Sequence, residues 1–245
     1  MYPELYKTVR HLLADDFFVL NIGANDGVDN DPIHPFLLMY PHWRGIFVEP
    51  ITYNFEQLVR NYRRFPNVEL VQAAISDQPM TMYYVDERAG CDMSLVSQCC
   101  SLDREYVERA LASIRGQRPD AVTDDAEQYI VADDSVLCLT VDELLSQHAV
   151  DRIDFLNVDV EGHDFEVFRA LDLTRFRPTL VCVETVDFSE PQKTYFKDRM
   201  KTLNYRFLGI FGLFSEFYVR SPEEEDRVDW HSLPTFLHPA EGDSE

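Results

Sequence analysis

Residues 21–27 and Glu49 form the first group in this sequence that could bind a small molecule. The apolar run 17–22 leads into a loop that contains two glycines and an acidic residue. The loop residues are Gly23, Ala24, Asn25, Asp26 and Gly27. Glu49 ends the next apolar run, at the roughly 20-residue spacing at which a carboxylate binds the two hydroxyls of a ribose. This spacing predicts a nucleoside-binding site.

The composition of the loop argues against a dinucleotide. The dinucleotide motif has glycine at its first, third and sixth positions, but counting from Gly23 the last two are Asn25 and Val28. Asp26 would also place a negative charge beside a pyrophosphate. S-adenosylmethionine has no phosphate and carries a sulfonium, an ammonium and a carboxylate. Gly23 and Gly27 would let the backbone approach this cofactor, and we expect the loop amides to bind its carboxylate. The loop therefore favours S-adenosylmethionine.

A second group of polar residues could act on an acceptor. Asp159 and His163 directly follow the apolar run 153–158, and Glu184 ends the run 180–184. A positioned base accelerates attack by a hydroxyl, and His163 has an ordinary pKa near 6.5. The acidic surroundings are expected to raise that pKa, and His163 could instead be an exposed residue that opens a helix. Asp159 and Glu184 could bind Mg²⁺, or one could be the base while the other orients the acceptor.

The elements that must position these residues alternate between strands and helices. This order predicts a parallel sheet with helices on both faces, whose ligands bind at the carboxyl ends of the strands. We expect an N-terminal helix over residues 4–14, an edge strand over 81–86 and a hairpin around Gly209–Gly212. Predicted helix caps are Asn54, Ser101 and Thr140, the last with Glu143 in a capping box.

The chain is expected to form one domain over residues 1–221, followed by an acidic tail over 222–245. Residues 86–135 interrupt the strand–helix rhythm and are interpreted as an insertion that acts as a lid. Four of its side chains are expected to cover the acceptor: Met93, Ser94, Gln98 and Tyr106.

The charge of the chain disfavours nucleic acid as a partner. The 22 Lys and Arg residues face 44 Asp and Glu residues, for a net charge of −22. No apolar stretch approaches the roughly 20 residues that span a bilayer, and the N-terminus lacks the pattern of a secretion signal. The five cysteines include no C-x-x-C pair. We expect a cytoplasmic protein that binds a small molecule and no membrane; whether it is an oligomer stays open.

Several of these motifs occur together in one known family. VLNIGANDG, GIFVEP, LVQAAISD, SLDREYVERAL and TVDELL followed by RIDFLNVDVEGHDFEV resemble, in order and spacing, the FkbM-type methyltransferases. The resemblance covers roughly residues 17–210. It implies a Rossmann-like class I methyltransferase fold, with a mostly parallel seven-stranded sheet and a C-terminal antiparallel hairpin. It also implies S-adenosylmethionine as methyl donor, and a hydroxyl on a sugar, a polyketide or another product of secondary metabolism as acceptor.

The resemblance also implies roles for particular residues. The glycine loop would border the methionine part of the cofactor, together with Asn21, where the family often has an aspartate. Glu49, next to Pro50, would bind the ribose, and Ala74 and Ile75 would lie against the adenine. Asp159 would contact the cofactor or the acceptor.

Two other classes of function remain open. A nicotinamide-dependent oxidoreductase would use the same ribose carboxylate, although its glycine motif is absent. A catalytically silent nucleoside-binding protein would bind the cofactor without turnover.

Overall fold

The computed structural model describes residues 9–14, 16–212 and 214–220. The expected acidic tail and most of the expected N-terminal helix lie outside these residues, and Arg10–Leu12 forms a single 3₁₀ turn. The strands, in chain order, are β1 Phe18–Ile22, β2 Arg44–Val48, β3 Val68–Val71, β4 Ala74–Ile75, β5 Met82–Val85, β6 Cys100–Ser101, β7 Ile130–Asp133, β8 Cys138–Leu139, β9 Phe155–Val158, β10 Leu180–Glu184, β11 Tyr205–Phe211 and β12 Ser215–Arg220.

Seven of these strands form the central sheet, in the order β11-β12-β10-β9-β1-β2-β3. The pairs among β3, β2, β1, β9 and β10 are all parallel, whereas β12 runs antiparallel to both of its neighbours. Strand order therefore reverses at β1, and the crevice beside β1 is where such sheets bind ligands. The predicted seven-stranded sheet and C-terminal hairpin are confirmed.

Helices cover both faces of the sheet. They are α1 His34–Met39, α2 Thr52–Tyr62, α3 Met93–Val96, α4 Arg104–Gln117, α5 Val141–Gln147, α6 Asp164–Ala170, α7 Leu173–Phe176 and α8 Glu190–Thr202. Because side chains alternate along a strand, Leu20 of β1 packs into one core with α5, α6 and α8, while Val19 packs into a second core with α1 and α2. Each apolar strand is thus buried on two sides, which explains its unbroken apolar run.

The expected insertion contains a sheet of its own. Strands β6, β5 and β7 pair antiparallel, and with α3, α4 and short 3₁₀ turns they enclose a separate apolar core. The predicted edge strand over residues 81–86 therefore belongs to this small sheet and not to the central one. Its partner, Ile130–Asp133, is distant in sequence, so local periodicity could not identify the pairing.

Four further expectations, three for helix caps and one for the hairpin, can be compared with the structure. The capping box of Thr140 and Glu143 is confirmed at the start of α5. The predicted cap Asn54 lies inside α2, where its side chain donates to the Ser97 carbonyl at 3.0 Å. Ser101 lies in β6, and the cap of α4 is Asp103. Gly209 lies within β11, beside a register shift, and not in the hairpin turn.

Within the part of the chain that is described, every helix is too short or too polar to cross a membrane.

Candidate active site

A cavity of about 500 Å³ opens beside the carboxyl ends of β1, β2, β9 and β10. The structure brings most of the predicted site residues to its wall: Gly23, Ala24, Asn25, Glu49, Pro50, Ala74, Ile75, Asp159, His163 and Glu184. The other three, Asn21, Asp26 and Gly27, lie outside this lining. The two polar groups of the sequence thus face one shared space.

The glycine loop is held in place by hydrogen bonds that its backbone amides donate to the end of β2. The amides of Gly23 and Ala24 both donate to the Val48 carbonyl at 2.9 Å. The amide of Asn25 donates to Oε2 of Glu49, also at 2.9 Å. The expectation that these amides are available to a methionine carboxylate is therefore wrong, because each already has an acceptor. Their bonds instead fix the loop across β1 and β2.

Asp26 and Gly27 lie outside the cavity lining and stabilise the conformation of the loop. Oδ1 of Asp26 accepts hydrogen bonds from the amides of Val28 and Asp29 at 2.8 and 2.9 Å. Gly27 has a φ of +74°, and a Cβ at this position would lie 2.3 Å from the ring of Tyr62. The Tyr62 hydroxyl also donates to the Gly27 carbonyl at 2.8 Å. These two residues shape a turn and pack it against α2, which accounts for their types without a ligand.

Gly23 joins the two central strand ends. Its φ is +83°, and a Cβ would lie 1.6 Å from the carbonyl oxygen of Asp159. Only glycine allows the loop after β1 to approach the end of β9 this closely. This contact places the glycine loop and the acidic residues side by side.

Glu49 is a buried carboxylate that also anchors two loops. It is 4% exposed. Its Oε2 accepts from Asn25, and its Oε1 accepts from the Ile51 amide at 2.9 Å. Burial raises the pKa of Glu49 to about 7, against the lowering effect of these hydrogen bonds. The Asn54 side chain also hydrogen-bonds to Glu49, and the carboxylate keeps a remaining lone pair with which it can accept from a ribose hydroxyl.

Asp31 lines the cavity and was missed by the sequence analysis. Its Oδ2 accepts from the Asn21 side chain at 2.6 Å, and its Oδ1 accepts from the amides of Ile33 and His34. Asn21 in turn accepts from Asn157 of β9 at 2.9 Å. Burial raises the pKa of Asp31 to about 7. The signal in the sequence was an aspartate directly before a proline near a helix start, a pattern too common to identify a site.

Asp159 and Glu184 lie close together at neighbouring strand ends. Burial raises the pKa of both carboxyls above the usual range. The charge of Asp31 adds to the rise for Asp159, against the lowering effect of its hydrogen bond with Glu184, and the charge of Asp159 adds to the rise for Glu184. Oxygens of Asp159, Glu184 and Asp164 come within 4.8 Å of one another. Asp164 also accepts from the amides of Val160 and Gly162, at 2.8 and 3.1 Å, and so closes the loop after β9. The three carboxylates have the oxygen chemistry that a hard cation requires.

His163 is partly buried beside these carboxylates. It directly precedes α6, and its Nδ1 lies 3.8 Å from Oε2 of Glu166. Burial lowers its pKa and outweighs the charges of Glu166 and Asp77. The expected rise in the pKa of His163 is therefore wrong. A neutral imidazole that lines the cavity can accept a proton near pH 7.

Glu161 connects the insertion to the site. Its φ of +54° is unusual for a residue that is not glycine. The Tyr106 hydroxyl donates to Glu161 Oε2 at 3.0 Å, and the Ser101 hydroxyl donates to the Glu161 carbonyl at 3.0 Å. Burial raises the pKa of Glu161 to about 8. Of the four insertion residues expected over the acceptor, Gln98 and Tyr106 line the cavity, whereas the other two do not.

The lining of the cavity combines many carboxyl groups with an apolar wall. Six carboxylate residues line it: Asp29, Asp31, Glu49, Asp159, Glu161 and Glu184. The lining contains no Lys or Arg among the residues that the structure describes. The apolar wall consists of Ala73, Ala74, Ile75, Met80, Met82, Leu95 and Leu102. Such a site favours a positively charged ligand with a flat apolar part over a phosphorylated one.

Comparison with known proteins agrees with this chemistry. The methyltransferase FkbM domain matches residues 21–208, well over half of the chain. No curated protein matches the sequence. A chain of a fibrillarin/Nop5p complex is similar in structure, with 13% identity and a TM-score of 0.40. The similarity covers 90% of this chain and 83% of the other.

Two other solved structures are similar at the same level. A precorrin-6y C5,15-methyltransferase from Geobacter metallireducens GS-15 shares 13% identity at a TM-score of 0.38, over 89% of this chain and 87% of its own. A human methyltransferase 10 domain containing protein shares 11% identity at a TM-score of 0.40, over 89% and 82%. The sheet order and the match over residues 21–208 together give the conclusion that the chain belongs to the FkbM methyltransferase family.

Proposed function

We propose that this protein transfers the methyl group of S-adenosylmethionine to a hydroxyl of a small metabolite, such as a sugar or a polyketide. The observation that carries the proposal is the single acidic cavity that joins the glycine loop and Glu49 to Asp159, His163 and Glu184. The part of this cavity beside the glycine loop and Glu49 is called the donor half. The part beside Asp159, His163 and Glu184 is called the acceptor half.

The donor half is assigned to the beginning of the sheet. Glu49 accepts hydrogen bonds from the ribose hydroxyls, and Ala74 and Ile75 pack against the adenine. Gly23, Ala24, Asn25 and Pro50 border the cofactor. Asn21 holds Asp31 in place from beneath. The sulfonium and the ammonium face the carboxylates of Asp31 and Asp159, which suit positive charge.

The acceptor half supplies the base. His163 takes the proton of the acceptor hydroxyl, because its lowered pKa leaves it neutral at pH 7. The acceptor oxygen then forms a bond to the methyl carbon while the bond from that carbon to sulfur breaks, and S-adenosylhomocysteine leaves. Asp159 and Glu184 orient the acceptor. A Mg²⁺ ion held by these two carboxylates would lower the pKa of a bound hydroxyl, and loss of activity in chelator would reveal it.

We also propose that the insertion acts as a lid. Tyr106 and Ser101 are tied to Glu161 by hydrogen bonds, so the insertion contacts the acceptor half directly. A lid that closes there excludes water and completes the site.

The test is a pair of measurements on the purified protein. Calorimetry should show binding of S-adenosylhomocysteine and none of NAD, since the carboxylates that line the cavity repel a pyrophosphate. Transfer of labelled methyl groups to a panel of alcohols should then show turnover. Binding of NAD would favour an oxidoreductase, and cofactor binding with no turnover on any alcohol would favour a silent nucleoside-binding protein.

A further inference from the structure

The acceptor half of the cavity has a strong imbalance of charge. Asp159, Glu161 and Glu184 line it from the sheet side, and the insertion faces them with the neutral side chains of Gln98 and Tyr106. Among the described residues, neither Glu161 nor Glu184 takes part in an ion pair. Burial raises the pKa of both carboxyls, so without a ligand they hold protons near pH 7, and the protein itself supplies no cation beside which they could ionise.

Glu184 shows the imbalance most directly. It is 8% exposed, and its Oε2 is buried without any hydrogen-bond partner. Burying an ionised carboxylate costs several kcal/mol unless it is paired with a cation, so Glu184 holds a proton without a ligand and would ionise when a cation binds beside it. Glu161 is only partly satisfied, because among the described residues the side chain that donates to it is the neutral hydroxyl of Tyr106. A buried, unpaired acceptor atom at the wall of a cavity indicates a ligand that supplies a donor.

The cofactor alone does not restore the balance. S-adenosylmethionine has two positive groups and one carboxylate, so it brings a net single positive charge, whereas six carboxylate residues line the cavity. Its sulfonium and ammonium are assigned to Asp31 and to Asp159, which lies where the two halves meet. Glu161 and Glu184 remain for the other substrate.

We propose that the acceptor carries an ammonium group in addition to its hydroxyl, as amino sugars and amino alcohols do, and that this ammonium binds between Glu161 and Glu184. The inference rests on the proposed function, because it names the substrate class of the same cavity. The ammonium would supply the missing donor to Glu184 and anchor the acceptor so that its hydroxyl faces His163. A carboxylated acceptor would be repelled, and a neutral one would leave the two carboxylates unpaired.

The experiment measures how charge at one end of a small probe controls its binding. Two sets of probes are titrated into the S-adenosylhomocysteine-loaded protein and followed by NMR: ethanolamine, ethylene glycol and glycolate, then glucosamine, glucose and glucuronate. We expect each amine to bind at least about tenfold more tightly than its neutral analogue, and the acids to bind most weakly. Equal binding within a set, or no binding of either amine, would overturn the inference.

Variants locate the effect. Glu184→Gln and Glu161→Gln should each reduce the preference for the amine, whereas Glu108→Gln, on the exposed face of α4, should preserve it. A preference that survives both substitutions would refute the assigned position. A cation effect that appears only with added Mg²⁺ and disappears in EDTA would show that the carboxylates bind a metal instead.

The experiment separates this inference from the proposed function. If S-adenosylhomocysteine fails to bind, the proposed function is refuted, and the probes still test the cation site on the unloaded protein. If a neutral alcohol is methylated as efficiently as its amine analogue, the proposed function stands and the ammonium site is refuted.

Discussion

The side-chain amide of Asn21 donates a hydrogen bond of 2.6 Å to Oδ2 of Asp31. Both side chains are buried, and Asn157 donates to Asn21 from the next strand at 2.9 Å. Asn21 thus links β1, β9 and the segment before α1 beneath the cavity. The FkbM resemblance leads one to expect an aspartate at position 21, and here that residue would face a second carboxylate.

Asn21→Asp should therefore destabilise the protein. A second buried carboxylate against Asp31 removes the donor and adds repulsion, and we expect the free energy of unfolding to fall by about 2–4 kcal/mol at pH 8. Urea unfolding measures this change. The exchanged pair Asn21→Asp with Asp31→Asn restores one donor and one acceptor, so it should recover most of the loss. Equal stability of the single variant and the wild type would contradict the role given to this contact.

Gly23→Ala should prevent the two central strand ends from meeting. The added Cβ would lie 1.6 Å from the carbonyl oxygen of Asp159, so backbone must move, and we expect a loss of at least about 3 kcal/mol. Gly90→Ala is the matched control, because Gly90 also has a positive φ, of +69°, but no atom within 4 Å of the added Cβ. It should cost only about 1 kcal/mol. Similar losses in the two variants would show that strain, and not the close approach, is what matters.

Glu49→Gln should weaken binding of S-adenosylhomocysteine. The amide keeps the shape of the side chain but loses the charge and one acceptor, and we expect a loss of about 1–3 kcal/mol, or about 5- to 150-fold in Kd. Calorimetry provides the number. Glu56→Gln, on the exposed side of α2, should bind with unchanged affinity. An unaltered Kd for the Glu49 variant would remove the assignment of this residue to the ribose.

Tyr106→Phe should separate acceptor turnover from cofactor binding. It deletes the hydroxyl that donates to Glu161 at 3.0 Å, and leaving a buried acceptor unsatisfied costs about 1–3 kcal/mol. We expect kcat/KM for the acceptor to fall by about tenfold or more, while the Kd of S-adenosylhomocysteine stays constant. A parallel change in both quantities would indicate a general loss of structure instead of a loosened lid.

Stability without ligands should fall as the pH rises from about 5 to 8. The pKa values of Asp31 and Glu49 are raised to about 7, and that of Glu161 to about 8, so the folded state binds more protons than the unfolded state in this range. As the pH rises, the folded state therefore releases protons that the unfolded state no longer holds, and the free energy of unfolding falls. Thermal unfolding over this range measures the slope.

Removing one of these groups should flatten the profile. Glu161→Gln no longer titrates, and we expect the fall between pH 5 and 8 to shrink by about 1–3 kcal/mol. Glu108→Gln serves as the exposed control and should leave the slope as it is. A wild-type stability that rises across this range would mean that the cavity carboxylates ionise as easily as in water.

The donor half of the site was largely predictable because its signals are local. Apolar runs that end in Gly23, Glu49 and Asp159 predict strands whose ends meet, and the parallel sheet does bring them together. Thr140 and Glu143 are three residues apart, so their capping box could also be read directly. In each case the sequence pattern lies within a few residues, although the strand ends that it predicts to meet are far apart along the chain.

The remainder depends on contacts between residues distant in sequence. The amides of Gly23 and Ala24 were expected to be free because the sequence does not show that Val48 accepts from both. Asp31 lines the cavity because the fold brings it beside Asn21, and the lowered pKa of His163 depends on how much protein surrounds it. The pairing of β5 with β7 joins segments far apart in the sequence, and the periodicity within each segment cannot reveal its partner.

The separate core of the insertion has a consequence for how this protein can change. The segment that we propose as a lid is stabilised by its own small sheet and α4, whereas the proposed ribose and methionine contacts follow strands of the large sheet. We therefore expect substitutions in the small core to alter substrate choice and to preserve the proposed methyl-donor chemistry. Exchange of this module between related enzymes offers a direct route to new acceptors, and the Glu161 contacts with Tyr106 and Ser101 mark the junction that a chimera must keep.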